Sequence, residues 1–349
     1  MPAKCPQFDC ACRADVCTVV VWGDNGQAVV SARNMDWFES MRTEMWVVPA
    51  GRVVDGAGLG DPLPVKWTSK YGSVISSVYN IGTADGMNEK GLGAHMLWLT
   101  PSEFGVRDPK RPGLVVSLWA QYYLDNFETV AEAVAAYEDT PYQIIAAAIA
   151  GREATVHLQI SDATGDVAVF ESINGQIVVH HGKQYDVLTN KPTFDEQLKN
   201  LDRYEGFGGT LPLPGTTAAA DRFVRASYYR QHLSVPTTTE SAISSLVSVL
   251  DNAAQPYGTA SADQPMIAPT IWQTALDHTT LRYLFRSTSR PGLVWLNLTD
   301  LDFTPGSPTL QLRLEDMTEH MGDQKASLVA ADLFEFARPP ETHPTVNPM

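Results

Sequence analysis

Cys17 opens a strand-like run, Thr18-Val19-Val20-Val21-Trp22, and no cysteine follows it in the chain. Sixteen residues later stands Arg33, within Ala32-Arg33-Asn34-Met35-Asp36-Trp37. A thiol at the head of one strand, with an arginine and an aspartate on the next, has the make-up of a nucleophile and its tuning groups. Thiolate is the reactive form, and a fixed cation nearby lowers the thiol pKa. If the chain is cut before Cys17, the new α-amine, with an intrinsic pKa near ~8, adds a base beside the sulfur. One residue then supplies both nucleophile and base. Taken singly, an isolated cysteine is more often a buried structural residue, and an Arg/Asp pair three apart is more often a surface ion pair. Their combination points to chemistry.

These residues need elements to hold them. Thr18–Trp22 and Ala28–Arg33 flank Gly23-Asp24-Asn25-Gly26, a hairpin signal. Strands are predicted at Glu44–Pro49, Ser73–Tyr79 and Gly93–Leu99, the last fed by a turn over Asp85–Leu92. Gly56, Gly58 and Gly60 imitate a nucleotide loop, but Asp61-Pro62-Leu63-Pro64 breaks the helix such a loop requires. Helical periodicity runs through Leu114–Tyr137. Strands return at Thr155–Ile160, Val167–Ser172, Gln176–His181 and Tyr185–Asn190. Helices follow at Ala218–His232 and Thr239–Ala253, the second capped by Thr238 or Thr239. The last third reads as strands at Thr270–Ala275, Leu281–Ser287, Leu293–Leu298 and Thr309–Leu314. This order suits an α+β fold of two packed antiparallel sheets with helices outside. With no linker or internal repeat after residue 17, residues 17–336 read as a single domain. A leader or propeptide, 1–16, precedes it, and a Pro-rich tail, 337–349, follows.

Composition narrows the function. A hydrophobic content of 44% and a charged content of 19% are those of an ordinary globular chain able to build its own core. The net charge of −15 argues against a nucleic-acid partner and against docking on anionic lipid. The cysteines at 5, 10, 12 and 17 are confined to the start, unlike a disulfide framework. Cys5, Cys10 and Cys12 have no histidine nearby and fit no common zinc spacing, so no metal is expected. His95, His180 and His181 lie in strand-like runs and read as satisfied or exposed side chains rather than ligands. Residues 1–16 lack the apolar segment of a signal peptide, and no apolar run is long enough to span a bilayer. As written, the chain reads as cytoplasmic; a true start further upstream would make it periplasmic or secreted.

Five segments in order carry a specific resemblance. They are Cys17-Thr18, Ala32–Trp37, Asp85-Gly86-Met87-Asn88-Glu89-Lys90-Gly91-Leu92, Leu188-Thr189-Asn190-Lys191-Pro192-Thr193-Phe194, and Leu213-Pro214-Gly215 leading to Arg222-Phe223-Val224-Arg225. A weaker echo runs from Asp277 to Phe285. In these the chain resembles the choloylglycine hydrolase family, the N-terminal-nucleophile cysteine amidases that include bile-salt hydrolases and penicillin V acylases. The resemblance implies a four-layer αββα sandwich of antiparallel sheets and removal of Met1–Val16 to free Cys17. It implies that Cys17 attacks an amide carbonyl while its α-amine shuttles the proton, that Arg33 favours thiolate, and that Asp36 holds the amine. Asn190 would donate to the oxyanion, and Arg222, rather than Arg225, would orient the nucleophile.

Leu97-Trp98 stands where bile-salt hydrolases carry an asparagine, so a backbone N–H of Trp98 is expected to serve as the second oxyanion donor. With Trp37, its indole favours an aromatic or alkyl acyl group and resembles the Gram-negative penicillin V acylase branch, some members of which cleave N-acyl-homoserine lactones. The segment between Asn190 and Leu213 is short and lacks the assembly insertion of the Gram-positive branch. The expected activity is hydrolysis of a linear amide joining a hydrophobic acyl group to a compact polar amine, through a thioester and without a cofactor. The substrate would be of penicillin V or acyl-homoserine lactone type. A conjugated bile salt is the alternative substrate, an acyltransferase on the same thioester the alternative reaction, and a binding protein retaining only the fold the non-enzymatic alternative. The partner is a small-molecule amide, with a homo-oligomer, dimer or tetramer, as a further expectation.

Overall fold

The computed structural model describes residues 17–339, apart from 59, 150, 259–267, 291 and 315–320; the leader and residues 340–349 of the tail lie outside the described residues. Thr18–Trp22, Val30–Asp36, Ser73–Val78, Gly82–Asn88 and Val156–Ser161 are buried at every position. Such strands have no solvated face, so their sequences run apolar or mixed instead of alternating. Among the described residues they join two large sheets. One runs in the order Val187–Leu188, Thr18–Trp22, Val30–Asp36, Thr270–Asp277, Arg282–Ser287, Val294–Asn297, Gly322–Asp323. The other runs Gln176–His181, Val167–Ile173, Val156–Ser161, Gly93–Trp98, Gly82–Asn88, Ser73–Val78, Met45–Val48, Leu310–Leu312, Val329–Ala330. Within these two sheets pairing is antiparallel except between Val294–Asn297 and the edge strand Gly322–Asp323.

Helices Ala219–Gln231 and Thr239–Ala253 cover the outer face of the first sheet, and Trp119–Asn126 and Val130–Asp139 cover that of the second. The result is the expected αββα sandwich. Val20, Val30, Met87, Leu97, Leu246 and Leu250 belong to the core between the sheets and beneath the first helices, while Ile75, Trp119, Leu124 and Phe170 belong to the core beneath the second. Alternation along Val30–Asp36 sorts the site residues. Ser31 and Arg33 reach His95 and Asp85 of the opposite sheet, whereas Asn34 donates to Leu250 O of the covering helix.

Four local readings are corrected. The second strand begins at Val30 rather than Ala28, because Asn25 takes over the turn: its amide donates to Trp22 O and Ala28 O, and its oxygen accepts from the Gln27 and Ala28 N–H groups. Asp85–Asn88 is strand, within Gly82–Asn88, and only the following residues turn. Gly86, which suggests a turn, is there because a Cβ would lie 2.8 Å from Leu124 Cδ1 and 2.9 Å from Ile75 Cγ2. The Leu114–Tyr137 periodicity is divided into a strand Gly113–Val115, a 3-10 turn and two helices. The second helix starts afresh because the Thr129 side chain caps Glu132 N–H and Asp162 takes the Val130 N–H. A helix at Phe194–Leu201 was not expected, although Thr193 and Glu196 form a capping box ahead of it.

Candidate active site

Cys17 precedes Thr18 in the first strand, and the register Thr18↔Asn34 sets it beside Met35 of the neighbour. Its sulfur lies 3.6 Å from Met35 Sδ and 3.6 Å from Arg33 Nη2. The Cys17 backbone has φ of 113°, a conformation that L-residues rarely adopt. Its backbone nitrogen donates to Asp36 Oδ2 at 3.1 Å. The same oxygen accepts from Gln255 Nε2 at 3.0 Å, and Oδ1 accepts from the Thr270 hydroxyl. Three neutral donors and the nearby Arg222 guanidinium, 3.7 Å away, therefore hold this fully buried carboxylate beside the cysteine nitrogen.

Arg222 enters from the helix Ala219–Gln231. Its Nη1 donates to Cys17 O at 2.5 Å and Thr18 Oγ1 at 2.7 Å, while Nη2 donates to Asn190 Oδ1 at 3.0 Å. A guanidinium only donates, so this bond fixes which end of the Asn190 amide is oxygen. The amide nitrogen then donates to Trp98 O at 2.7 Å. Arg225 lies outside the site and bonds to Asn252 and Thr216. Cys17, Arg33, Asp36, Asn190 and Arg222 are thus brought together.

The cavity beside the sulfur is made by two strands that part. Gly82–Asn88 and Gly93–Trp98 pair from Met87↔Gly93 to Asp85↔His95, and no further. The gap between 82–84 and 96–98 is a cavity of about 60 Å³ lined also by Cys17, Arg33, Trp37 and Trp98. Trp98 faces Val156 in the register, and Leu99 N–H bonds to Thr155 O, so the Trp98 N–H and C=O point away from that partner and toward the gap. The Trp37 and Trp98 ring centroids are 5.6 Å apart. A larger, open basin of about 610 Å³ shares Trp37 and Met41 with the cavity, but Cys17 does not line it.

Burial pushes the Cys17 thiol up from its ordinary value; Arg33 pulls it down, Asp36 pushes it up, and burial prevails. Arg33 therefore opposes the rise rather than producing a low thiol pKa outright. Behind Arg33 lies Asp85, whose Oδ2 is 3.6 Å from Nη1 and whose carboxylate is held below its usual range. Burial alone would raise it, but His95, Arg33 and Tyr283 outweigh that effect. Sequence reasoning missed Asp85 as a buried anion because its segment read as a turn. Gln255 and Thr270, which hold Asp36, stand in no motif that would announce them. Among the described residues no group of three or more His, Cys, Asp or Glu side chains could hold a metal, and no helix is long and apolar enough to cross a membrane.

A four-layer αββα sandwich with a thiol heading an inner strand places this chain among the N-terminal-nucleophile hydrolase folds. The particular family follows from comparison: the profile of linear amide C–N hydrolases, choloylglycine hydrolase family, matches residues 17–320, and the chain belongs to that family. It is an amidohydrolase acting on linear amides. It is 39% identical to a penicillin V acylase of Pectobacterium atrosepticum over 347 residues, covering 92% of each chain. It superposes on the penicillin V acylase of Agrobacterium tumefaciens with a TM-score of 0.83 at 44% identity, over 92% of this chain and 99% of the other. A mutant form of the conjugated bile acid hydrolase of Clostridium perfringens shares the fold, with a TM-score of 0.72 at 21% identity over 84% of this chain and 96% of the other.

Proposed function

We propose that Cys17, freed at its α-amine by loss of residues 1–16, cleaves amides of penicillin V or N-acyl-homoserine lactone type through a thioester. The observation that carries this reading is the convergence on one cysteine of Arg33 at its sulfur, Asp36 at its nitrogen and Arg222 at its carbonyl. The φ of 113° supports the cut, because that torsion runs through the bond to residue 16 and its strain ends when the bond is broken.

In acylation the α-amine accepts the thiol proton and Sγ attacks the amide carbonyl. Asp36 keeps the amine turned toward the sulfur. Asn190, whose amide nitrogen is fixed at the gap by its bond to Trp98 O, is the first oxyanion donor. The Trp98 N–H, aimed into the same gap, is the second donor. The amine product takes the proton and leaves, and water releases the acid from the thioester. The indoles of Trp37 and Trp98 line the acyl side, and the 39% identical penicillin V acylase supports an aryloxyacetyl group there.

The test combines N-terminal sequencing with a panel of penicillin V, acyl-homoserine lactones of several lengths and conjugated bile salts. A chain starting at Cys17 that turns over the first two classes is expected, with Cys17→Ala inactive. Full activity in a protein that retains residue 16 would remove the proposed mechanism.

A further inference from the structure

A chain of fully buried polar groups runs from Arg33 across the space between the sheets. Asp85 Oδ2 lies 2.6 Å from His95 Nδ1, and His95 Nε2 lies 2.9 Å from Ser31 Oγ. Ser31 Oγ in turn lies 2.8 Å from His278 Nε2, and His278 Nδ1 lies 2.7 Å from Gly91 O. The hydrogens can be assigned from the far end. A carbonyl only accepts, so His278 Nδ1 carries a hydrogen. Burial holds His278 down at about 4, so at neutral pH its Nε2 is a bare acceptor. Ser31 has one hydrogen and gives it to that nitrogen, for which it is the closer donor at 2.8 Å against 3.4 Å for the Ser161 hydroxyl. The Ser31 oxygen can then only accept from His95, so Nε2 carries a hydrogen. At the other edge of the ring Asp85 is a carboxylate, and it already accepts from the Tyr283 hydroxyl on Oδ1 at 2.6 Å. The short contact between Asp85 and His95 Nδ1 therefore holds a second proton.

We infer that Asp85 and His95 together hold one proton more than a carboxylate and a neutral imidazole, and that this uncharged pair leaves the Arg33 charge uncancelled for the Cys17 thiolate. The result is the same wherever the proton lies along the contact. The charged or titratable groups facing His95 are Asp85 and Tyr283, Arg33 beyond them, and neutral His278 on the other side of Ser31. Were His95 neutral, the Asp85 anion, 3.6 Å from Arg33, would offset the cation on which the thiolate depends. His95 is thus a positioning residue for the ionisation of the nucleophile; it touches neither the sulfur nor the cavity. This inference rests on Cys17 being the nucleophile, but the two can fail separately.

The experiment measures the rate of Cys17 alkylation by iodoacetamide against pH, a readout that needs no amide substrate. His95→Asn keeps a donor toward Asp85 and removes the charge. It should slow labelling at neutral pH roughly tenfold and shift the profile to higher pH, as expected for one new net charge near the sulfur in a medium of intermediate dielectric. Asp85→Asn combined with His95→Asn restores an uncharged pair and should return labelling to within about threefold of the parent. A purely structural role predicts that the double variant is as slow as the single one or slower. Nitrogen NMR of histidine-labelled parent protein covers the case in which a variant does not fold. Two protonated nitrogens on His95, or one proton shared across the Asp85 contact, are expected; a neutral ring with bare Nε2 overturns the inference. Loss of the Cys17→Ala phenotype would instead count against the nucleophile assignment alone.

Discussion

At the scale of single residues, the site turns on an amide that serves two partners and on two indoles that line the cavity. Asn190 is held between Arg222 and Trp98 O, so its replacement removes a fixed donor without emptying the cavity. Asn190→Ala should lower kcat by roughly 10²–10³ with a smaller change in KM, as for a donor that acts chiefly in the transition state. A change confined to KM would make it a substrate-binding residue. Trp98→Ala should weaken phenoxyacetyl and long-chain substrates far more than short-chain ones, by about 1–3 kcal/mol of acyl contact, with Cys17 labelling unchanged. Equal losses for long and short acyl groups would assign the indole to the fold. The convergence of Cys17, Arg33, Asp36, Asn190 and Arg222 was legible because each sits in a segment that resembles a family motif. His95 was legible only as a satisfied strand histidine, since its importance depends on a carboxylate, a serine and a second histidine that no spacing in the chain connects.

At the scale of elements, the gap between Gly82–Asn88 and Gly93–Trp98 is what makes a cavity beside the thiol. Strand positions were well marked by hydrophobic runs, yet the first of these two was hidden by its glycine. Gly86 is a close approach of backbone to the covering helix, and a glycine at a close approach looks, in sequence, like a glycine at a turn. Gly86→Ala should therefore cost about 1–3 kcal/mol in urea unfolding by forcing Leu124 and Ile75 aside. Stability unchanged within error would mean that the helix Trp119–Asn126 yields without strain. The helix Phe194–Leu201 was missed for a different reason: it spans only two turns, too few for the i, i+4, i+7 spacing of Phe194, Leu198 and Leu201 to stand out beside its capping box.

At the scale of the whole molecule, the two sheets are joined by polar bonds as well as by apolar packing. Tyr283 of one sheet donates to Asp85 and accepts from Ser76 of the other, and His278 donates across to Gly91 O. No sequence pattern reports such cross-sheet pairs, because their members are separated by roughly two hundred residues. They give the fold a pH response. His278 is lowered from 6.5 to about 4, so the unfolded chain binds its proton more tightly than the folded one. Its contribution is fully present above about 6.5 and is lost as the pH falls toward 4, amounting to roughly 3 kcal/mol across that window. Urea titrations at pH 7 and pH 4.5 should show a smaller loss of stability in His278→Asn than in the parent. An identical loss in both would place the acid sensitivity in other groups.

The location of the groups around Cys17 also sets a timetable. The thiol leaves the ribosome well ahead of Asn190, Arg222, Gln255 and Thr270, which all follow it in the chain. At about 5–20 residues per second, tens of seconds separate the synthesis of the sulfur from that of the hydroxyl that completes the Asp36 cradle. Throughout that interval the nascent chain carries a cysteine without its assembled surroundings. A polypeptide interrupted anywhere before Thr270 never acquires them, so synthesis through that residue is itself a condition for building the site.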